Sequence, residues 1–145
     1  MGHDDLYQEA IKLLAKRDYA RQELATRLST LVSDQGRVGA VINKLDEQGY
    51  LDDRGVADNI LRQGLKKQHG PMRLRLSLRQ KGIEQVVIDD ALWDMTVDWL
   101  GMARTIRRKQ FGLTDPLDEK SKAKLVRHLQ HRGHSMDVIR EVVEE

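Results

Sequence analysis

The sequence contains no cysteine, only two prolines and only six aromatic residues among its 145 residues. The lack of cysteine excludes disulfide bonds, a thiol nucleophile and a thiolate metal site. With so few aromatics, a core must be built from Leu, Ile, Val and Ala. The apolar runs are far shorter than the roughly 20 residues that span a bilayer, and the first ten residues lack the apolar stretch of a signal peptide. We therefore expect a cytoplasmic protein without a membrane segment.

Acidic residues are also absent from the 25 residues between Asn59 and Ile83, although the whole chain has 23 acidic and 25 basic residues. The basic residues of this segment, here called the basic stripe, are Arg62, Lys66, Lys67, Arg73, Arg75, Arg79 and Lys81. A stripe of one sign in a nearly neutral chain indicates a polyanionic partner. An ordinary solvated helix face is the alternative interpretation.

A second basic cluster lies in residues 102–114, which again lack acid, and its members are Arg104, Arg107, Arg108 and Lys109. Arg62 and Lys66 lie 42 residues before Arg104 and Arg108, so the two groups occupy matching places and could form one track. A third set of basic residues could extend this track, although these residues could equally well be ordinary solvated surface charges. This set consists of Lys120, Lys122, Lys124 and Arg127.

The sequence contains an internal repeat. A shift of 50 residues superimposes Leu74 and Leu78 on Leu24 and Leu28. A shift of 51 residues superimposes Leu74, Leu78, Gly82, Val87 and Ile88 on Leu125, Leu129, Gly133, Val138 and Ile139. Three copies fill the chain, with predicted bounds of 1–52, 53–94 and 95–145. In each copy apolar residues recur every three or four positions, which predicts three short helices. We expect an all-α monomer of three tandem three-helix repeats that stack into an elongated, curved array.

Glycine and proline mark the predicted helix ends of the middle repeat. Asp52 or Asp53 is a candidate N-cap for its first helix, and Gly70 is expected to end that helix. Pro71 suits the first position of the second helix, and Gly82 is expected to end it.

Similar punctuation occurs in the other repeats. Gly49 is expected to close the first repeat, whereas Asp115 and Pro116 are expected to open the second helix of the last repeat, with Gly133 closing it. The third helix of the middle repeat is predicted at 83–93.

The second helix of the middle repeat is predicted to be apolar on two sides. If Leu74 and Leu78 face inward, Met72 and Leu76 lie almost opposite, because each residue turns about 100° around the axis. We expect Met72 and Leu76 to pack against neighbouring repeats. The alternative is an exposed protein-binding spot flanked by arginines.

Three aromatic residues lie near the predicted repeat boundaries. Trp93 and Trp99 flank the boundary between the second and third repeats, and Tyr50 lies at the first boundary. We expect all three to pack between repeats rather than to bind a ligand.

Three histidines, His128, His131 and His134, are spaced by three, but Gly133 is expected to break the helix before the third. The Glu of an H-E-x-x-H motif is missing, so we expect solvated or packed histidines and no metal site. Acidic residues at 89, 90 and 94 are expected to be solvated on a helix face. The chain has no glycine-rich phosphate loop, nucleotide fingerprint or nucleophile motif, so no catalytic residue and no cofactor are expected.

A longer pattern connects the first two repeats. Gly49-Tyr50-Leu51-Asp52-Asp53, then Ala57, then Gly70-Pro71-x-Arg73-Leu74-x-x-x-Leu78-x-x-Lys81-Gly82-Ile83 resembles the core signature of the RecX family, regulators of the bacterial recombinase RecA. Arg17 and Glu23-Leu24 are similar to the opening motif of that family. The likeness extends over essentially all 145 residues.

Two positions depart from the family pattern. Ala20 stands where the family usually has a helix-capping serine, and Val56 stands where an aromatic residue commonly precedes the alanine. The resemblance implies an all-helical protein of three tandem three-helix repeats without enzymatic activity. It also implies binding in the helical groove of RecA filaments, with inhibition of ATP hydrolysis and strand exchange during recombination and DNA repair.

The basic stripe could meet acidic protein surface of a RecA filament, the phosphate backbone of its DNA, or both. The stripe has no Tyr, Trp or Phe, so base stacking, which contributes about 1 to 3 kcal/mol per base, has no platform there. The alternative function is a nonspecific nucleic-acid-binding module that acts by competition for single- or double-stranded DNA.

Overall fold

The computed structural model describes residues 2–112 and 116–145, and these residues form nine α-helices and no β-strand. The helices are α1 (His3–Lys16), α2 (Arg21–Ser29), α3 (Gln35–Glu47), α4 (Asp53–Lys66), α5 (Pro71–Lys81), α6 (Gln85–Trp93), α7 (Trp99–Phe111), α8 (Glu119–His131) and α9 (Met136–Glu144). The all-α prediction and the tandem three-helix pattern are confirmed. Over the same residues, no helix is both long enough and apolar enough to cross a membrane.

Most of the predicted helix ends are confirmed. Pro71 is the first residue of α5, where its missing N–H leaves no donor unpaired. Gly82 directly follows α5, and Gly49 and Gly133 each come one residue after the helix C-cap. Asp52 rather than Asp53 caps α4, because its carboxylate accepts a hydrogen bond from the Gly55 N–H at 3.0 Å.

The prediction that Gly70 ends the first helix of the middle repeat is wrong. That helix, α4, already ends at Lys66, and Gln68 reverses the chain in a left-handed conformation with φ of 61°. Gly70 is buried and serves a different purpose, because its Cβ position is occupied by the backbone of Gly133. The next prediction, a helix over 83–93, is correct except at its start, since α6 begins at Gln85.

The predicted start of the last repeat's second helix is also wrong. Helix α8 begins at Glu119, and Asp118 is its N-cap, accepting a hydrogen bond from the Ser121 N–H at 2.8 Å. Pro116 lies before the helix in a bend, and Asp115 lies outside the described residues. A side-chain cap thus sets the start of this helix, not the proline.

The chain divides into two compact units, Met1–Asn59 with Leu78–Ala91 and Ile60–Ser77 with Leu92–Glu145. Helices α4 and α5 each pass from one unit into the other, so the middle repeat contributes to both. The repeat bounds of 1–52, 53–94 and 95–145 stay predictions.

Each unit has an aliphatic core. In the first unit, a cluster joins α1, α2 and α3, and its fully buried members include Leu6, Leu24, Leu28, Val41 and Leu45. In the second unit, α7, α8 and α9 contribute an equivalent cluster. Its members include Ala103, Ile106, Leu125, Leu129, Ile139 and Val142. Burial of such side chains stabilises the fold by about 1.5 to 3 kcal/mol each.

Several apolar side chains are exposed where packing is predicted. Leu74 and Leu78 are fully buried as expected, but Met72 is 64% exposed and Leu76 is 50% exposed. The prediction that Met72 and Leu76 pack against neighbouring repeats is therefore wrong. The exposed-spot alternative describes this face of α5 correctly.

The three aromatic residues near the repeat boundaries also differ in burial. Trp93 is 88% exposed and Tyr50 is 56% exposed, so the prediction that they pack between repeats is wrong. Trp99 is half-buried, and its ring meets the His134 ring edge-on with centroids 6.3 Å apart.

Candidate interface for a polyanionic partner

Three exposed cations lie at the end of α4: Arg62 and Lys66 are in its last turns, and Lys67 directly follows the helix. Arg62 and Lys66 are four residues apart and therefore share one face of the helix. Within residues 2–112 and 116–145, none of the three side chains forms an ion pair or a hydrogen bond. These charges are thus available to a partner.

The cations of α5 are less uniform. Arg79 is exposed and unpaired within the described residues, whereas half-buried Arg75 interacts within the chain. Arg73 is half-buried and donates a hydrogen bond to the carbonyl of His131 at 3.1 Å. Lys81 is half-buried, and its Nζ lies 3.1 Å from the Glu23 carboxylate.

In the second basic cluster, two of the four cations have strong internal partners. Arg104 forms a double hydrogen bond to the Glu145 carboxylate at 2.8 and 2.6 Å, which raises the pKa of Arg104 and lowers that of Glu145. Arg107 is buried and donates to the Val142 carbonyl near the end of α9. Exposed Arg108 reaches only a hydroxyl, and Lys109 is exposed and unpaired among the described residues.

In the third set, Lys122 is half-buried between two carboxylates, with its Nζ 3.1 Å from Glu144 and 3.6 Å from Glu119. The hydrogen bond to Glu144 raises the pKa of Lys122. The other three members are exposed and have no ion pair with a described residue. They are Lys120, Lys124 and Arg127.

Two turns of the second unit meet in what we call the second junction. The α8–α9 turn, Arg132–Ser135, contacts the α4–α5 turn, Lys67–Gly70, and the start of α5. The Gly70 N–H donates to the Arg132 carbonyl at 2.7 Å, and the Met72 N–H donates to the Gly133 carbonyl at 3.0 Å. These bonds satisfy donors at the N-terminus of α5 that the helix itself leaves unpaired.

Glycine is required at this junction. Gly133 has φ of 85°, and a Cβ there would collide with the backbone of Arg73, while a Cβ on Gly70 would collide with the Gly133 carbonyl. The absence of side chains lets the two turns touch through their backbones. As a result, the side chains that flank the glycines are brought close together.

The flanking side chains are cationic. Arg132 donates to the Lys67 carbonyl and, at 2.8 Å, to Nε2 of His128. Arg73 donates to His131 across the same turn. None of the carboxylates in the described part of the chain forms an ion pair with Lys67, Arg73 or Arg132.

The histidines of the junction show the effect of this charge. Burial lowers the pKa of His69, and Arg73, Lys67 and Arg132 lower it further. Burial and then Arg132 act on His128 in the same direction. Both rings therefore resist protonation next to the fixed cations.

His134 is the most deeply buried of the junction histidines, with 2% exposure. Its Nε2 lies 3.0 Å from the Gln68 carbonyl, which requires a proton on Nε2, and its Nδ1 has no partner. Burial lowers the pKa of His134 and outweighs the hydrogen bond to Gln68. His134 therefore resists protonation in the folded protein.

A corresponding contact in the first unit, the first junction, joins the α5–α6 turn to the start of α2. Gly82, in the α5–α6 turn, lies against the first turn of α2. A Cβ added to Gly82 would lie 3.7 Å from the Glu23 nitrogen. Here the charged groups alternate in sign: Glu23 pairs with Lys81 at 3.1 Å and with Arg17 at 3.3 Å. The half-buried Asp53 carboxylate accepts a hydrogen bond from the N–H of Arg21, the first residue of α2, at 2.8 Å.

Arg132 and His69 are not among the predicted site residues, and the other histidines are predicted to be solvated or packed. Alignment of the repeats could have identified Arg132 as a site residue, because it shows where charge differs between equivalent positions. A shift of 50 residues places Arg73 at the position of Glu23, and a shift of 51 places Arg132 at the position of Lys81. An ion pair in one junction is thus replaced by two arginines in the other.

The described residues contain no group of three or more His, Asp or Glu side chains arranged to hold a metal ion. His128, His131 and His134 are separated as the sequence predicts, because α8 ends at His131 before Gly133. The chemistry that this surface offers is the binding of anions by Lys, Arg and protonatable imidazole groups.

Comparison with known families accounts for most of the chain. A family model described as the second three-helix domain of RecX matches residues 52–92, and one described as the third three-helix domain of RecX matches residues 98–143. The fold is similar to the crystal structure of RecX from Lactobacillus salivarius, with a TM-score of 0.83, 22% identity, and coverage of 97% of this chain and 94% of that chain.

Relatives with higher identity carry the name regulatory protein RecX. The protein from Halorhodospira halophila is 38% identical over 131 residues, which cover 90% of this chain and 81% of the relative. The protein from Acinetobacter baylyi is 34% identical over 134 residues, which cover 92% and 83%. With two domain models and such relatives matched, the chain belongs to the RecX family.

Proposed function

We propose that the protein regulates the RecA recombinase by binding the groove of the RecA filament on DNA and suppressing ATP hydrolysis and strand exchange. The observation that carries this proposal is family membership: two RecX domain models match the chain, and its relatives are named regulatory proteins. The proposed action is binding, because the relatives are named regulatory proteins and the predicted cations can bind anions.

The contact surface consists of the predicted cations that have no strong partner within the chain. They are Arg62, Lys66, Lys67, Arg79, Arg108, Lys109, Lys120, Lys124 and Arg127. Arg73 and Arg75 are included as secondary members of this surface, because each residue is only partly buried. Arg104, Arg107, Lys81 and Lys122 act within the chain, where each has a carboxylate or carbonyl partner.

The exposed apolar face of α5 supports a protein partner in addition to DNA. Met72 and Leu76 are both at least half exposed beside the cationic residues of the same helix. Phosphate backbones are bound by charge, whereas apolar side chains gain free energy only against another apolar surface. A filament of protein on DNA supplies both kinds of surface.

The proposal is tested by measuring ATP hydrolysis by RecA on saturating single-stranded DNA, with the protein in substoichiometric amounts. We expect strong inhibition that persists when excess DNA is added, because the target is the filament. Inhibition that disappears with excess DNA would instead support the alternative function, a nonspecific module that competes for DNA.

A matched pair of triple variants tests the contact surface. R62Q/K66Q/K67Q removes the unpaired cations of α4, and K12Q/K16Q/R17Q removes the cations exactly 50 residues earlier on and after α1. The α1 set is the control because Lys12 and Arg17 already have acidic partners, Glu9 and Glu23. Only the α4 variant should lose inhibition; equal losses would remove α4 from the proposed surface.

A further inference from the structure

The second junction combines several donors around one backbone contact. Arg132 donates to the Lys67 carbonyl and to the His128 ring, and Arg73 donates to the His131 carbonyl, so both guanidinium groups lie along the contact between the two turns. Each guanidinium has five N–H groups, and the internal bonds of Arg132 use only Nε and Nη1. Lys67 is exposed, with no side-chain partner in the described ranges.

Packing does not require this concentration of charge. The first junction brings a turn glycine against the same part of a helix and uses an ion pair, Glu23–Lys81, with apolar Tyr19 and Ile83 buried nearby. The repeat shifts place His69 at the position of Tyr19 and His134 at that of Ile83. Replacing an ion pair and apolar side chains with cations and imidazoles weakens a junction unless an anion completes it.

We infer that the second junction is a binding site for a phosphate group, held by Lys67, Arg73 and Arg132, with His69 as an additional donor. His128 Nε2 accepts from Arg132 in the free protein, so this nitrogen gains a proton only when the Arg132 Nε–H turns to the phosphate. Arginine forks match the oxygen geometry of phosphate, and a nearby dianion favours protonated imidazole. The inference rests on the proposed function in one respect, since the DNA of the filament is then the natural source of phosphate.

The site couples binding to proton uptake. The charged groups that act on His69 are Arg73, Lys67, Arg132 and His134, and those that act on His128 are Arg132, His131, His134 and Lys124. All of them are cationic or become so on protonation. A bound phosphate opposes their repulsion, so each imidazole binds its proton more tightly in the complex, and affinity rises as pH falls through that range.

The test uses the full chain without recombinase, so that failure of this inference is separate from failure of the proposed function. The pKa values of His69 and His128 are measured by NMR alone, with inorganic tripolyphosphate, and with a short oligothymidylate. We expect each pKa to rise by about 1 unit with either ligand. A rise with tripolyphosphate but not with DNA would identify free phosphate compounds as the ligand.

Two results would overturn the inference: unchanged pKa values at saturating tripolyphosphate, or the same rise with polyglutamate, which would indicate a site for carboxylate surfaces. Lys67→Gln tests the site without touching its internal hydrogen bonds, and Arg17→Gln is its counterpart 50 residues earlier. Only Lys67→Gln should weaken the salt dependence of oligothymidylate binding. In a plot of the logarithm of the binding constant against the logarithm of the salt concentration, the loss of one phosphate contact reduces the slope by about 0.7. Equal slopes for both variants would also contradict the site.

Discussion

The first and second junctions use the same parts of their repeats and differ in charge. In each, the glycine after the second helix of one repeat lies against the first turn of the second helix in the preceding repeat. The first junction places Glu23 between Arg17 and Lys81, which is a self-contained ionic arrangement. The second places Arg73 and Arg132 against backbone carbonyls instead.

This difference shows how a repeat protein can separate stability from binding. Backbone contact at the glycines is common to both junctions and holds the turns together. Side chains of mixed sign complete the first junction internally, whereas the second retains donors that are only partly used. Exchanging single residues between the two junctions therefore separates structural contributions from functional ones.

The largest expected effect comes from adding a methyl group at the turn glycines. Gly133→Ala should lower the free energy of unfolding by roughly 2 to 5 kcal/mol, because the left-handed backbone is strained by a Cβ and the Cβ also collides with the Arg73 backbone. Gly82→Ala should cost only about 1 to 2 kcal/mol, since its nearest neighbour is 3.4 Å away. Urea unfolding measures both.

Gly49→Ala is the control for backbone strain alone, because its φ is 78° and its Cβ position has no neighbour within 4 Å. If Gly133→Ala and Gly49→Ala cost the same, the close contact between the turns does not exist in solution.

The next effect is pH dependence confined to the second junction. The pKa values of His69, His128 and His134 lie below the ordinary value of about 6.5, so the unfolded chain binds more protons as pH falls through that value. The free energy of unfolding should therefore decrease on acidification, by at most about 1.4 kcal/mol per pH unit from the buried His134. His69 and His128 contribute less, because solvent screens the charges around them. Urea unfolding at pH 7.5 and 5.5 measures the decrease.

His134→Gln isolates the most buried group, because the Gln amide can donate to the Gln68 carbonyl without titrating. The variant should lose less stability on acidification than the parent protein. A stability difference between the two proteins that is the same at pH 7.5 and pH 5.5 would show that His134 does not titrate on unfolding.

A smaller effect is expected from exchanging charges between the junctions. Arg73→Glu should raise the free energy of unfolding by up to about 1 kcal/mol, because a carboxylate in the first turn of α5 favours the helix dipole and gives Arg132 an acidic partner. Glu23→Arg should lower it by a similar amount, since Arg17 and Lys81 lose their common partner. Changes of the same sign would contradict the proposed contrast between the junctions.

Arg73→Glu should also raise the pKa of His69, because Arg73 is one of the cations that lowers it. NMR titration of the histidines provides that measurement. A gain in stability together with a loss of phosphate binding would show that the second junction keeps its charge for a ligand.

The sequence predicts the fold to a large extent because helix ends are encoded locally. Pro71, Gly82 and Gly133 act through their own backbone restrictions, and the structure confirms all three. Gln68 is harder to predict, because it takes the left-handed position after α4 that glycine takes after α3, α5 and α8, and a Gln side chain does not favour that conformation. Local backbone hydrogen bonds close the helix there, from the Gln68 N–H to the Leu65 carbonyl and from the His69 N–H to the Gly64 carbonyl.

The candidate site is less predictable because its partners lie far apart in the sequence. Composition identifies the cations, but it cannot show that Arg107 reaches Val142 or that Arg104 pairs with Glu145. The second junction depends on contacts across 58 to 66 residues. Helical periodicity reports only which residues share one helix face, so it does not predict these pairs.

The smallest effect on stability, and the sharpest test of surface chemistry, is expected at Leu76. Leu76→Thr introduces the residue found 50 positions earlier and should change the free energy of unfolding by no more than about 0.5 kcal/mol, because Leu76 is half exposed. Under the proposed function, inhibition of RecA should nevertheless weaken, because the variant removes the apolar group that Leu76 would present to the filament. Val86→Thr, at another exposed apolar residue, is the control and should leave inhibition unchanged. Equal inhibition by both variants would mean that the filament is held by charge alone.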